Sequence, residues 1–351
     1  MRDVSRVGAL IAALGILLLI FAQGCSRPPA DQEVVIYVSA DETIARPILA
    51  AFEEATGLRV RAVFDTEATK TTGLVSRLFA ERERPRADLF WSSECFRMIE
   101  LDRNGVLAPM EGPPFETWMA DREGQWRSAD GTWFGFAPRA RVLVYVPGRV
   151  PEDALPTTWE ELADESWKGR VAMADPRFGT TSGHMGVLRT IWGAERFDRW
   201  VDGLKFNDTA LLTTGNSGVV RSVVSGEYLL GMTDTDDVWA SRRQGDLVEQ
   251  RQLRHLSDDQ QGGGTLLVPN TVGLVRGGPN SNGGRLLAEW LLSIEVEKLL
   301  ANSDSRNIPL RGDPGALAVE DPLAVDLGLA TNQLPPAVAR IFEALGSSED
   351  G

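Results

Sequence analysis

Residues 34–64, VVIYVSADETIARPILAAFEEATGLRVRAVF, decide the fold because their hydrophobic period changes twice. Residues 34–38 are rich in β-branched side chains and predict a strand. Ile44, Ile48 and Phe52 then recur at helical spacing until Gly57 ends the helix. Residues 58–64 predict a second strand. This order of elements predicts parallel strands with a helix packed against the sheet.

The same alternation continues along the chain. A helix is predicted at residues 71–83 and a third strand at 87–91. A second unit has strands at 139–146 and 171–174, and between them residues 155–162 predict a Thr N-cap followed by a helix with Glu in its first turn. We therefore predict an α/β fold with mostly parallel sheets flanked by helices. Ligands in such folds bind beyond the carboxyl ends of the strands. The polar residues that follow the first and third strands, and are therefore candidates for ligand binding, are Asp41, Glu42, Ser92, Ser93 and Glu94.

Two further predicted helices begin with small polar residues. Thr180, Thr181 and Ser182 open one of them, and Asn216 opens another that runs to residue 224. The first N–H groups of a helix lack partners within the helix and lie at its positive end. Such a start is an anion cradle, although every helix needs a cap of some kind.

Residues 231–239, GMTDTDDVW, place three carboxylates, those of Asp234, Asp236 and Asp237, at the end of a strand predicted from residue 228 to 232. Asp and Thr favour turns and helix N-caps. Capping explains one carboxylate in such a loop, as for Asp41 before its helix. It does not explain three in four residues, so we expect these side chains to bind a ligand.

Composition excludes several classes of protein. A net charge of −14 and a pI near 4.8 over 351 residues argue against nucleic-acid binding, because a phosphate backbone is repelled. Two cysteines and two histidines are too few for a structural zinc site.

The first 25 residues predict an export signal. Arg2 and Arg6 precede an apolar run at residues 7–22, which ends in small residues before Cys25. The arrangement resembles a bacterial lipoprotein signal, in which the cysteine bears the lipid, although Ala22 stands where such signals usually carry Leu. An ordinary secretory signal is the alternative. We expect an exported protein, periplasmic or at the cell surface, that is lipid-anchored at Cys25.

From about residue 34 to residue 300 the chain resembles the periplasmic solute-binding proteins of ABC importers, particularly the ferric-ion-binding branch. The segments that carry the resemblance are ADLFWSSE at 87–94, RARVLVY at 139–145, WEEL at 159–162, TTSG at 180–183 and SGE at 225–227. The resemblance implies a type II periplasmic-binding-protein fold, in which two α/β lobes are joined by crossing strands and hold the ligand in a cleft. It also implies delivery of that ligand to the transmembrane subunits of a permease.

The resemblance suggests a division of the chain. Residues 1–25 are the signal and 26–33 a tether. Lobe 1 comprises residues 34–138 and 262–309, and lobe 2 comprises residues 139–261. Residues 310–351 form a C-terminal helical segment, with a helix from 337 to 345 after Pro335 and Pro336 interrupt the pattern, and it is expected to pack on lobe 2.

The sequence departs from the ferric-binding pattern at the ligand positions. Asp236 and Asp237 stand where those relatives carry two adjacent tyrosines that bind Fe³⁺, and Asp41 stands where many carry a histidine. Tyr145 occupies a strand position that supplies a phenolate in some relatives. Arg139 and Arg141 resemble cleft arginines that hold an accompanying anion.

Carboxylates that converge in one cleft repel one another unless a cation neutralises them. Oxygen ligands suit hard ions, so we expect ferric iron or another hard metal ion as the transported ligand, and no separate cofactor. The predicted metal ligands are Asp41, Glu94, Asp236 and Asp237.

An organic zwitterion is the alternative ligand. The ammonium group of an aminoalkylphosphonate would meet the carboxylates, while its phosphonate would meet the helix start at Thr180–Ser182 and an arginine. A ligand-sensing domain or a carboxylate-dependent hydrolase needs a similar cleft. The sequence contains no Gly-x-Ser-x-Gly elbow, His-Glu-x-x-His pair or P-loop, so we expect a monomeric binding protein that is not an enzyme.

Overall fold

The structure is a computed structural model. It describes residues 32–65, 72–120, 126–256 and 263–346. The predicted export signal, Cys25 and most of the tether lie outside the described residues.

Strands and helices alternate along most of the described chain, as the sequence predicts. The strands are β1 (Glu33–Val38), β2 (Arg59–Phe64), β3 (Leu89–Ser92), β4 (Leu107–Ala108), β5 (Trp133–Tyr145), β6 (Val171–Ala174), β7 (Ala210–Leu212), β8 (Leu230–Asp234), β9 (Glu249–Arg251) and β10 (Leu267–Val275). The helices are α1 (Glu42–Thr56), α2 (Thr72–Ala80), α3 (Phe96–Arg103), α4 (Pro113–Ala120), α5 (Gly179–Phe206), α6 (Gly215–Ser225), α7 (Thr235–Arg243), α8 (Ser281–Leu291), α9 (Ile294–Asn302) and α10 (Leu327–Leu345). Helix α5 is kinked at Gly193, which has a positive φ of 71°.

The strands form one continuous mixed sheet in the order β2-β1-β3-β10-β5-β8-β6-β7. Strand β5 joins its two halves, because residues 133–140 pair with β10 and residues 141–145 pair with β8. All 13 residues of β5 are buried. The parallel pairs β1 with β3 and β6 with β8 lie on opposite sides of this crossing, so their carboxyl ends come from different lobes.

Each half of the sheet has its own apolar core. In lobe 1, α1 and α8 pack on the sheet through side chains such as Ile48, Phe52 and Leu287. In lobe 2, α5 packs against β6 and β8 through side chains such as Leu188 and Phe197. A smaller buried cluster, which includes Phe96, Val187 and Leu334, packs between the two halves.

The C-terminal helix is longer than predicted. Helix α10 begins at Leu327, and Pro335 and Pro336 lie inside it, so the expectation that they interrupt the pattern is wrong. Burial of apolar side chains such as Leu334 and Ile341 against α5 contributes about 1.5–3 kcal/mol each and offsets the lost backbone hydrogen bonds. Helix α10 contacts both α5 and α3.

The prediction of a regular helix after a Thr N-cap within residues 155–162 is also wrong. Only a short 3₁₀ turn, Glu160–Ala163, forms there. The Glu161 carboxylate accepts the Thr157 N–H at 2.7 Å, and the Trp159 N–H donates to the Arg254 carbonyl at 3.3 Å. These bonds to a side chain and to a distant segment replace those of a regular helix.

The two histidines of the chain form a buried pair. The Nε2 atoms of His184 and His255 lie 3.0 Å apart, beside the Trp159 ring. Nδ1 of His255 lies 2.8 Å from the Gly264 carbonyl oxygen, which can only accept, so this nitrogen carries the proton and His184 Nε2–H donates to His255 Nε2. Burial, together with the charge of Arg141, lowers the pKa of His184 well below its usual value and that of His255 to about 4.

This pair predicts a loss of stability in acid. The unfolded chain protonates its histidines near pH 6.5, whereas the folded rings stay neutral, so the free energy of unfolding falls as the pH drops from 7 towards 5. We expect a loss of about 2 kcal/mol for each ring that stays neutral. Urea unfolding at pH 7 and pH 5 measures it. The His255→Gln variant should lose roughly half of this pH dependence, and equal dependence in the two proteins would contradict the assignment.

Candidate functional site

A cavity of about 120 Å³ lies between the two lobes. Its wall is built from the carboxyl ends of strands β1, β3, β6 and β8, as the fold class predicts. The charged residues that line it are Asp41, Arg139, Asp175, Asp234, Asp236 and Asp237. Uncharged lining residues include Trp91, Ser93, Thr180, Thr181, Asn216 and Asn270.

Four helices begin at this cavity. They are α1, α5, α6 and α7, and none of their N-cap residues, Asp41, Phe178, Thr214 and Asp234, makes a side-chain hydrogen bond to its helix. Helices α8, α9 and α10, which begin elsewhere, each have a side-chain cap. The cavity therefore gathers the positive ends of four helices that have no side-chain hydrogen bond from their N-cap residues.

Asp234 is the centre of a buried ionic network. Its Oδ1 accepts a hydrogen bond from Nη1 of Arg141 at 3.0 Å. Its Oδ2 accepts from Nε of Arg139 at 3.3 Å, from Nδ2 of Asn216 at 2.9 Å and from the Thr180 hydroxyl. Burial alone would raise the pKa of Asp234, but the two arginines outweigh it and hold the pKa below its ordinary value. Asp234 thus ties β5 to α5 and α6 and does not cap α7.

Asp236 and Asp237 follow in the first turn of α7. Asp234, Asp236 and Asp237 each place one carboxylate oxygen within 4.8 Å of an oxygen of the other two. Asp236 Oδ2 is 3.4 Å from Nε of Arg139, and Asp237 Oδ2 accepts from the Thr233 hydroxyl at 3.4 Å. The helix start stabilises their negative charge. This arrangement can hold a metal ion or another cation.

Several predicted site residues do line the cavity. Asp41 and Ser93 reach it from lobe 1. Thr180, Thr181 and Asn216 reach it from lobe 2, where Thr181 donates to Asn216 Oδ1 at 3.2 Å. The strand ends of lobe 1 and the helix starts of lobe 2 that the sequence predicts therefore meet at one cavity.

Two predicted carboxylates lie elsewhere. Glu42 is exposed on α1 and pairs with Arg46 one turn later. Glu94 is buried, and its carboxylate accepts the N–H groups of Phe96 and Arg97 at the start of α3. Burial raises the pKa of Glu94, and the residue does not line the cavity. Glu94 is therefore a helix cap, and its prediction as a metal ligand is wrong.

Four other predicted residues also lie outside the cavity lining. Tyr145 is packed in the lobe 2 core at the far end of β5, where burial raises its pKa. Ser92 and Ser182 are buried, and Ser92 donates to Glu94 at 3.4 Å. Arg141 is fully buried behind Asp234, and its Nη1 also lies 3.4 Å from the Thr180 hydroxyl and from Asn216 Oδ1, both of which line the cavity.

Sequence reasoning missed one charged lining residue, Asp175. It directly follows β6 and accepts from Nε of Arg177 at 3.0 Å. The rule that identified Asp41 after β1 applies equally to Asp175, because both follow a parallel strand.

The family model of bacterial extracellular solute-binding proteins matches residues 88–316 of the chain. Iron uptake protein A1 of Synechocystis sp. is 27% identical over 290 residues, which are 82% of this chain and 78% of that protein. The Fe(3+)-binding periplasmic protein of Serratia marcescens is 29% identical over 231 residues, or 65% of this chain and 64% of that protein.

The fold is shared with solved structures. Iron-bound HitA from Pseudomonas aeruginosa superimposes with a TM-score of 0.76 at 22% identity, covering 90% of this chain and 99% of that chain. The predicted type II periplasmic-binding-protein fold is therefore confirmed. No helix in the described ranges has both the length and the apolar character needed to cross a membrane.

The Asp234 network predicts a large effect on stability. In an Asp234→Asn variant, Arg139 and Arg141 lose a buried counter-charge, and breaking a buried pair in this way costs about 3–5 kcal/mol. Urea unfolding measures the change. The matched Asp237→Asn variant, at a half-buried position in α7, should lose less than about 1 kcal/mol. Similar losses in the two variants would contradict the structural role given to Asp234.

Proposed function

We propose that this chain, which belongs to the bacterial extracellular solute-binding protein family, captures a small hard metal cation between its lobes for an ABC importer. The observation that carries the proposal is the meeting of Asp236 and Asp237 from lobe 2 with Asp41 from lobe 1 around one cavity. Capture without chemical turnover is the activity that we assign to this site.

The charge of the cavity favours a cation. Five carboxylates and one guanidinium line it among the described residues. The buried Arg141 and the Arg177 bonded to Asp175 offset two of these carboxylates, which leaves an excess of negative charge. Carboxylates held together away from water are stabilised when a cation binds between them.

The size of the cavity favours a small ligand. About 120 Å³ is well below the roughly 300–1,000 Å³ of pockets that enclose drug-sized molecules. It suits an ion with a few water molecules, each of which occupies roughly 30 Å³.

The ligand atoms favour a hard ion. Carboxylate, hydroxyl and amide oxygens line the cavity, and such donors prefer Ca²⁺, Mg²⁺, Mn²⁺ or Fe³⁺. The names of two relatives refer to iron uptake and Fe(3+) binding. This chain has aspartates where the resemblance implies a tyrosine pair. We therefore assign its ion to the class of hard cations and do not name a single metal.

Ligand capture by this fold proceeds through closure of the lobes. Asp41 lies on lobe 1, Asp236 and Asp237 lie on lobe 2, and the chain crosses between them through β5 and β10. A cation that bridges the two sides stabilises the closed form. In the proposed function the protein is exported, held at the membrane by a lipid on Cys25, and acts as a monomer that delivers its ion to the permease.

A second candidate ligand is supported by the four uncapped helix starts. Their N–H groups, with Arg139, suit an anionic group, while Asp236 and Asp237 suit an ammonium. An aminoalkylphosphonate carries both charges and is small enough for this cavity.

Titration calorimetry after chelation tests the proposed function, with Ca²⁺, Mn²⁺, Fe³⁺ and 2-aminoethylphosphonate as ligands. We expect at least one metal ion to bind, and the Asp237→Asn variant to bind it about ten-fold or more weakly, because one attractive charge is lost. Asp208→Asn, at an exposed position beyond α5, is the matched control and should bind normally. Binding of the phosphonate alone would favour the second candidate, and binding of none would contradict both.

A further inference from the structure

We propose that Arg139 is a fixed internal counter-cation that sets the charge selectivity of the cavity and lowers its preference for trivalent over divalent ions. This inference rests on the proposed capture of a metal cation. It concerns a residue that contacts the proposed ligand groups and is not itself a metal ligand.

Both lobes hold Arg139 in place. Its side chain is 7% exposed and lines the cavity. Nε lies 3.3 Å from Asp234 Oδ2 and 3.4 Å from Asp236 Oδ2, and Nη1 donates to the Ser93 carbonyl oxygen of lobe 1. Because Arg139 sits on the crossing strand β5 and is held from both sides, its charge stays beside the cavity.

The charge on Arg139 is permanent. A guanidinium does not lose its proton in proteins, unlike an ammonium in a similar site. Although burial alone would lower the pKa of Arg139, Asp236 and Asp234 raise it above its ordinary value. Burial also limits screening by salt, so the charge acts at nearly full strength on an ion beside Asp236.

This fixed charge discriminates among ions by their valence. The repulsion between Arg139 and a bound ion is proportional to the charge of that ion. The same guanidinium therefore makes the binding free energy of a trivalent ion less favourable by about one and a half times as much as that of a divalent ion. Asp234 does not cancel this effect, because Arg141 already bonds its other oxygen at 3.0 Å.

The pair Ca²⁺ and Tb³⁺ tests the proposal, because these ions have similar radii and differ in charge. Terbium luminescence and competition by Ca²⁺ give both dissociation constants. In Arg139→Gln, we expect Ca²⁺ to bind about ten-fold more tightly and Tb³⁺ about thirty-fold more tightly, as the proportionality to charge requires. Arg139→Lys keeps the charge and should keep the wild-type ratio of the two constants within about 1.5-fold, against the roughly three-fold change expected in Arg139→Gln.

Arg196→Gln is the matched control, because it removes an arginine beyond the Gly193 kink of α5, where Arg196 pairs with Glu160. It should leave both constants unchanged. The ratio of the two constants compares two ions on the same protein, so it does not depend on how much of a variant is folded. A ratio that changes by about three-fold in Arg139→Gln supports the proposal, and an unchanged ratio overturns it.

The outcomes separate the two proposals. If neither ion binds the wild-type protein, the proposed metal capture is wrong. If both ions bind and Arg139→Gln leaves their ratio unchanged, metal capture stands and the role of Arg139 is wrong.

Discussion

The buried ion network around Asp234 is the interaction on which the rest of the site depends. It joins the two arginines of the crossing strand to the starts of α5 and α6, at the point where β5 passes from one lobe to the other. Because Asp234 ends β8 directly before α7, fixing its carboxylate also fixes the helix start that carries Asp236 and Asp237. Asp234 therefore stabilises the fold through its ion pairs, while Asp236 and Asp237 line the cavity.

Because Asp234 is paired with two arginines and only its neighbours face the cavity, the acidic cleft can be stable before a ligand arrives. Arg139 and Arg141 offset part of the negative charge from inside the protein, and the helix starts offset more of it through their dipoles. The remaining excess makes the cavity attractive to a cation without making the empty cleft unstable. The stability of the empty cleft therefore depends on both arginines, and the proposed charge selectivity depends on Arg139, which lies at the wall of the cavity.

The sequence predicts the fold and the place of the cleft better than it predicts individual ligands. Hydrophobic periodicity identifies β1, α1 and β2, and the strand-end rule places Asp41 and Asp237 at one cavity. It fails for Glu94, because sequence does not show whether a carboxylate turns back to cap its own helix. The family resemblance suggested Tyr145 as a ligand, but Tyr145 packs in a core, because a strand residue faces a core or a cleft according to pairing that only the folded sheet defines.

A crystal structure of the protein with Mn²⁺, with anomalous diffraction recorded to locate the ion, tests the central claim most directly. The account predicts one strong anomalous peak in the cleft, bound by carboxylate oxygens of Asp236 and Asp237, with Asp41 approaching from lobe 1 and Asp234 still bonded to its arginines. A crystal with Mn²⁺ bound elsewhere, or with the cleft occupied by an organic molecule and no ion, would contradict it.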